Sequence, residues 1–253
     1  MQLTDKLIKT IAKTSGAYGI IEPNDKILVA VSGGKDSYGL LYLLHILKKR
    51  LPFPIDIVAL HVAQGQPGVD PAPVIDWLSA SGIPFEIARE DTYSVVQRNL
   101  KQGATPCAIC SRLRRGIIYT RAEKLGCTKI ALGHHREDTL ATLMMNLFYS
   151  GKLQAMPPKY TTDDGRFEVI RPMIEVAEAD LIALGDEQQF PIVPCALCSG
   201  QEDHKRRYVN EFLDAVQETH PALRNVMLGA LKHVNPSHLM DLSIARTKKT
   251  QLD

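Results

Sequence analysis

An apolar run over residues 26–31, Lys-Ile-Leu-Val-Ala-Val, leads into Ser32-Gly33-Gly34-Lys35-Asp36-Ser37 and then into a Leu-rich segment, 37–49, with helical spacing. A strand that turns through two glycines into a helix constrains the fold strongly. It is the opening unit of an open α/β sheet, and such sheets bind ligands at the carboxyl ends of their strands. The loop has the chemistry of an anion cradle. Gly33 and Gly34 let the backbone approach a phosphate, the helix N-terminus offers unpaired N–H groups, and Ser32, Lys35 and Ser37 add hydroxyls and a positive charge. It is not a Walker A loop, which would need a glycine where Val29 stands, and it is not GxGxxG. The plain alternative is a Gly-rich turn with Asp36 as an incidental acid at a helix start.

The rest of the chain repeats the alternation. Further β-rich runs at 55–62, 84–88 and 129–132 are interleaved with helical patterns at 73–80, 112–125 and 138–148, preceded by a helical segment at 3–11. This predicts a parallel-sheet, Rossmann-like α/β fold covered on both faces. A Gly/Pro/polar stretch from 150 to 165 reads as an active-site insertion or lid. A short strand at 168–170 and helices at about 177–189, 205–216 and 222–232 follow, then a loose polar tail. We expect one domain over 1–253, with a helical prefix at 1–22 and a C-terminal helical extension at about 200–246. The 30 basic and 28 acidic residues leave a formal net charge of +2, so any nucleic-acid contact must come from local patches. No stretch of about 18 apolar residues and no signal-peptide core is present, so we expect a cytoplasmic protein with no membrane association.

Four of the five cysteines form two near-duplicate clips, Pro106-Cys107-Ala108-Ile109-Cys110 and Pro194-Cys195-Ala196-Leu197-Cys198. A CxxC turn sets two thiols on one side of a bend, as a thiophilic ion or iron–sulfur cluster requires. Cys110 and Cys195 are 85 positions apart, whereas zinc ribbons separate their clips by about 15–20 residues. A centre built from both would tie distant parts of one fold together. Disulfides and inert buried thiols are the alternatives, the former disfavoured in a reducing cytoplasm. Cys127 lies outside the clips and reads as a small apolar filler at a helix end.

With these residues in view, SGGKDS after a hydrophobic strand resembles the pyrophosphate loop of the PP-loop ATPases, which split ATP between its α- and β-phosphates and adenylate a substrate carbonyl. Leu132-Gly133-His134-His135-Arg136-Glu137-Asp138 resembles the GHHxDD-type element of the tRNA-thiolating branch, with Glu137 where an Asp is common. The resemblance implies ATP and Mg²⁺ on this chain. It suggests nucleotide binding at Ser32, Gly33, Gly34, Lys35, Asp36, Ser37 and Gly133, and catalytic roles for Lys35, Asp36 and Asp138, the last two being the Mg²⁺ candidates. His134 and His135 are as consistent with buried or capping roles as with catalysis.

The first clip continues as Cys-Ala-Ile-Cys-Ser-Arg-Leu-Arg-Arg-Gly and is similar to the CSxCSRLRRG signature of the tRNA 2-thiocytidine synthetase family, with Ala108 replacing a usual serine. The likeness extends through Gly151-Lys152, Met156-Pro157-Pro158-Lys159, Asp163-Asp164-Gly165, Ile170-Arg171-Pro172, the second clip, and Pro236-Ser237-His238-Leu239 with Asp241. It implies ATP-dependent thiolation of the cytidine at position 32 of a tRNA anticodon loop to 2-thiocytidine, by adenylation of the C2 oxygen and displacement of AMP by sulfide carried on a [4Fe-4S] cluster. The ligands it implies are Cys107, Cys110 and Cys198, with Cys195 a nonligating neighbour. It further implies tRNA and a cysteine desulfurase or other sulfide donor as partners, and a homodimer. A closed four-cysteine zinc site is the structural alternative.

Arg112, Arg114 and Arg115 beside the first clip, and Lys205-Arg206-Arg207 after the second, are candidates for RNA phosphate contacts, or else solvated helix faces and ion pairs. Two rival functions follow from the same residues. A tRNA 2-thiouridine synthetase resembles this chain but typically adds CxxC pairs near both ends, and this chain has no cysteine before Cys107 or after Cys198. A noncatalytic metal-stabilised RNA-binding module would have no need of SGGKDS.

Overall fold

The computed structural model of the chain describes residues 2–100, 106–193 and 204–240, apart from the side chains of Cys107 and Ala108. Helix α1 (Leu3–Tyr18) turns Leu7, Ile8 and Ile11 into the core and ends at Gly19, which takes a left-handed φ of 57°. Strand β1 (Lys26–Val31) follows, then α2 (Lys35–Lys48), β2 (Asp56–Ala63), α3 (Ala72–Ser81), β3 (Phe85–Arg89), α4 (Thr92–Asn99), α5 (Cys107–Lys124), β4 (Lys129–Ala131) and α6 (Arg136–Tyr149). After these come β5 (Lys159–Thr161), β6 (Glu168–Ile170), α7 (Glu178–Gln188), α8 (His204–Thr219) and α9 (Leu223–Lys232).

Among the described residues the sheet runs β3-β2-β1-β4-β6-β5, all parallel except β5, which pairs antiparallel with β6. Side chains alternate across β1 as strand geometry dictates. Ile27, Val29 and Val31 pack with Leu7, Tyr38, Leu78 and Leu184 from the helices of one face. Leu28 points the other way and packs with Ile118 and Ala122 of α5. Each such fully buried aliphatic side chain contributes about 1.5–3 kcal/mol. The two faces are therefore independently cored.

This order places the site. From β1 the chain crosses to β2 on one side of the sheet, whereas the later crossover returns to β4 on the other side of β1. The loops after β1 and β4 diverge there and open a crevice at their carboxyl ends, the usual ligand position in a doubly wound sheet. At the opposite end, buried Lys129 in β4 is compensated by Glu22 at 2.8 Å, Asp25 at 2.9 Å and Glu168 at 3.2 Å. A buried cation requires such partners.

The pattern reading holds for the parallel strands and for helices α2, α3 and α6, and three details differ. The sheet is mixed at its edge, because the 150–165 stretch contains β5, which forms a hairpin with β6 around Asp163-Asp164-Gly165. Helix α4 was not evident from periodicity. It is nucleated by Asp91, whose carboxylate accepts from the Ser94 N–H at 3.0 Å. Helix α5 begins at Cys107, five residues before the expected start, so the first clip is a helical turn instead of a bend, with the Cys110 N–H donating to the Pro106 carbonyl at 3.0 Å. Positions 107 and 110 are one turn apart, a spacing that shares a helix face.

The chain divides into two compact units, Met1–Asn210 and Glu211–Asp253, the boundary falling within α8. Within the second, the buried Arg224 pairs with Asp214 at 2.7 Å and with Gln217. Among the described residues no helix is long and apolar enough to cross a membrane.

Candidate active site

The loop after β1 is tied by its own hydroxyls. Ser37 Oγ donates to the Gly34 carbonyl at 2.8 Å, accepts from the Ser32 N–H at 3.1 Å, and lies 3.2 Å from Ser32 Oγ. Gly33 has φ +91°, and a Cβ there would meet Val193 at 3.3 Å, so both the turn and its packing require glycine. Gly34 caps α2 in an extended conformation without a side chain of its own, leaving the helix N-terminus open to an anion.

Lys35 reaches Glu178 Oε1 at 2.8 Å and Asp36 Oδ2 at 3.2 Å. Burial pulls its ammonium down, but the bond to Glu178 and the charge of Asp36 win and hold it above its ordinary value. Burial raises the Asp36 carboxyl, against the opposing pull of Lys35 and His135. Its Oδ1 is buried without a hydrogen-bond partner, 3.9 Å from His135 Nε2.

The loop after β4 presses on this helix start. A Cβ on Gly133 would lie 3.0 Å from the carbonyl carbon and oxygen of Asp36 and 3.2 Å from the Ser37 nitrogen, so glycine is a steric requirement of the loop–loop contact. His135 then caps α6, its N–H donating to Asp138 Oδ2 at 3.1 Å. Its ring lies between carboxylates, with Nδ1 3.2 Å from Glu137 and Nε2 3.4 Å from Asp138. Desolvation lowers the His135 pKa, but Glu137, Asp138 and Asp36 raise it overall. Burial opposes ionisation of Glu137, yet bonds to His135 and Arg136 bring it down to about 2. Glu137 also accepts from the Glu178 N–H at 2.8 Å, so it ties the β4 loop to α7. Asp138 is held below its usual range by His135, the His135 N–H and Arg206, against burial, and Arg206 meets its Oδ1 at 2.9 Å.

Two cavities meet at this loop. One, about 820 Å³, runs from Ser32, Gly34 and Lys35 past Val62 and Val74 toward Arg89. The other, about 470 Å³, is bordered by Ser32, Asp36 and Ser37 on one side and by Gly133, His134 and Asp138 on another. Ser32, Asp36, Val62, Gln64 and Arg114 line both. Gln64 Oε1 accepts from the Cys110 thiol at 3.0 Å, which sets that buried cysteine beside the junction.

A family model described as a PP-loop domain matches residues 3–192. The tRNA-cytidine(32) 2-sulfurtransferase of Bordetella pertussis is 49% identical over 240 residues, covering 95% of this chain and 75% of that protein. The chain belongs to the tRNA-cytidine(32) 2-sulfurtransferase family. Its counterpart in Anaeromyxobacter sp. strain K is 46% identical over 97% of this chain and 84% of that protein. Among solved structures, the U34-tRNA thiolase NcsA from Methanococcus maripaludis, with its [4Fe-4S] cluster, superposes with a TM-score of 0.72. At 22% identity it covers 92% of this chain and 80% of that one, a likeness of fold.

In this sulfurtransferase-family chain the fold brings together the expected loop residues, Gly133, Asp138 and Cys110. Arg114 and Arg115 border the smaller cavity, and Arg114 the larger one too, while Arg112 is exposed and lines neither. Neither Arg114 nor Arg115 has a carboxylate partner among the described residues. Cys195 and Cys198 lie outside the described residues, as does Asp241, and so does the side chain of Cys107. Cys127 is buried, as expected of a filler, and burial pushes its thiol pKa up.

The residues present suit both implied groups. Mg²⁺ takes one or two carboxylates plus substrate phosphates, and Asp36 Oδ1 is a buried oxygen with no donor of its own. A cluster needs thiols, and Cys110 places one at the cavity junction. Among the described residues no group of three metal-ligating side chains forms. Sequence reasoning missed Glu178 and Gln64. Arg206 was singled out only for RNA, and Glu178 carried no signal beyond an acid at a helix start.

Proposed function

We propose that this chain converts cytidine at position 32 of a tRNA anticodon loop to 2-thiocytidine, consuming ATP. The observation that carries the reading is the pair of cavities that share Ser32 and Asp36, which gives two reactants access to the same phosphate loop. ATP extends from the loop into the larger cavity, where Val62 and Val74 offer apolar walls to the adenosine. The cytidine enters the smaller one.

Lys35 and the α2 N-terminus hold the triphosphate and stabilise charge as it develops. The cytidine C2 oxygen attacks the α-phosphorus and pyrophosphate leaves. A sulfur nucleophile then adds at C2, and the oxygen departs with AMP. Asp36 and Asp138 would hold Mg²⁺, which neutralises phosphate charge when bound. Cys107, Cys110 and Cys198 would hold a [4Fe-4S] cluster, whose chemistry is the supply of that sulfur. Ser32 and Ser37 keep the loop closed on the phosphates, and the contact of Gly133 with Asp36 fixes where the two substrates meet. Arg112, Arg114 and Arg115 contact tRNA phosphates, with Arg114 and Arg115 nearest the base. A cysteine desulfurase or other donor supplies sulfide, and the enzyme works as a cytoplasmic homodimer.

Relatives named for cytidine 32, 46–49% identical, favour this substrate over a 2-thiouridine product. Anaerobically purified protein incubated with tRNA, ATP, Mg²⁺ and sulfide should yield 2-thiocytidine by nucleoside mass spectrometry. Its absence, with an intact cluster and active control tRNA, refutes the assignment.

A further inference from the structure

We propose that His134, fixed by Arg171 as an Nε2–H donor, is the residue that distinguishes cytosine from uracil in the smaller cavity, by donating to the N3 of the target base. The inference rests on the proposed substrate and deepens it.

The geometry begins with Arg171, which is only 7% exposed and has no carboxylate within ion-pair distance among the described residues. Its Nη1 donates to the Pro157 carbonyl at 2.8 Å and its Nε to His134 Nδ1 at 3.3 Å. A guanidinium can only donate, so Nδ1 must accept and the ring proton of neutral His134 sits on Nε2. Burial first, then the charge of Arg171, push the His134 pKa down to about 4, so the ring is neutral at physiological pH. No described residue accepts from Nε2–H. It is therefore, like the guanidiniums of Arg114, Arg115 and Arg171 lining the same cavity, a donor whose direction of hydrogen bonding cannot reverse.

The cavity suits a base. Arg171 lies over the Tyr160 ring, its guanidinium carbon 5.1 Å from the centroid, and both line the same 470 Å³ space. Planar aromatic and guanidinium groups are what unstacked bases rest against. The space also borders Ser32, Asp36 and Ser37, so a base within it has its reacting edge beside the phosphate loop. Cytosine and uracil share the C2 carbonyl and differ at N3, an acceptor in cytosine and an N–H in uracil. A fixed donor meets the first and opposes the second. Sites that hydrogen-bond a substrate in this way reject the mismatched analogue strongly, because a buried polar group is left unpaired.

The test uses pyrophosphate release, which reads activation of the base and does not depend on sulfur delivery. The kcat/KM is measured for one tRNA carrying cytidine or uridine at position 32. Wild type is expected to favour cytidine, and His134→Gln, whose amide turns to offer either a donor or an acceptor, should lower that ratio at least about tenfold. An unchanged ratio in folded His134→Gln overturns the inference while leaving the functional reading intact. A wild type that does not discriminate overturns it too, and absence of cytidine-dependent pyrophosphate release overturns both. Should the variant not fold, a second arm uses wild type alone: an anticodon stem-loop with 3-deazacytidine at position 32, lacking the N3 acceptor, should bind several-fold more weakly than the cytidine form by fluorescence anisotropy. Equal affinity refutes the contact.

Discussion

Lys35 Nζ lies 2.8 Å from Glu178 Oε1, across 143 positions of sequence. The phosphate-loop lysine thus rests on a carboxylate from the first turn of α7, which an incoming triphosphate must replace. Glu178→Gln removes that competing charge. ATP should bind several-fold more tightly by calorimetry. The pair is 23% and 39% exposed, so folding stability should change by no more than about 1 kcal/mol. Weaker ATP binding would show that Glu178 aims Lys35 instead of competing for it.

Lys35→Met takes away the only side-chain cation in the loop. Pyrophosphate release should fall by about 10²-fold or more, a loss typical of removing one preorganised charge-stabilising group. Asp36→Asn should raise the Mg²⁺ concentration needed for half-maximal release about tenfold, because the unpartnered Oδ1 is the oxygen available to the ion. An unchanged Mg²⁺ titration would assign the metal to Asp138 alone.

Gly133→Ala puts a methyl 3.0 Å from the Asp36 carbonyl, in backbone that cannot rotate away. Denaturant unfolding should show a loss of about 1–3 kcal/mol. Pyrophosphate release should fall further than stability explains, since the loops carrying Asp36 and Asp138 are forced apart. Full activity would indicate a site tolerant of that displacement.

His134 has a folded pKa of about 4 against an ordinary 6.5. In that interval the unfolded chain binds more protons than the folded one, so stability contributed by neutral His134 is present above about pH 6.5 and declines as pH falls toward 4. Metal-free wild type should therefore lose more stability between pH 7.5 and 5 than His134→Gln does. Equal losses in urea titrations would mean that the ring is not held neutral.

Separate Cys107→Ala, Cys110→Ala and Cys198→Ala proteins should lose iron and acid-labile sulfide under anaerobic analysis, and Cys195→Ala should retain them. Equal loss at all four positions, or stoichiometric zinc without iron, would replace the three-ligand cluster with a four-cysteine site.

Local physics made much of this molecule readable before folding. The apolar run ending in Ser32-Gly33-Gly34-Lys35 specifies a strand and an open helix start through contacts between near neighbours in the chain. Continuous apolar runs and period-3.6 patterns likewise mark the parallel strands and the helices α2, α3 and α6. Helix α4 was hidden because it spans only eight residues and its clearest local mark is one cap, Asp91 to Ser94, and β5 because three residues at a sheet edge carry little periodicity.

The amino-acid order alone therefore settles the α/β class, the phosphate loop and the types of residue available for metal and sulfur chemistry. Folding settles which of them face one another. Glu178 reaches Lys35, Arg206 reaches Asp138 and Arg171 orients His134 because the sheet order brings the loops after β1 and β4 together and α7 over them. The bonds to His135 and Arg136 then hold Glu137 ionised against burial, and burial holds His134 neutral. Such pairings depend on through-space distance and desolvation, and neither is a function of separation along the chain.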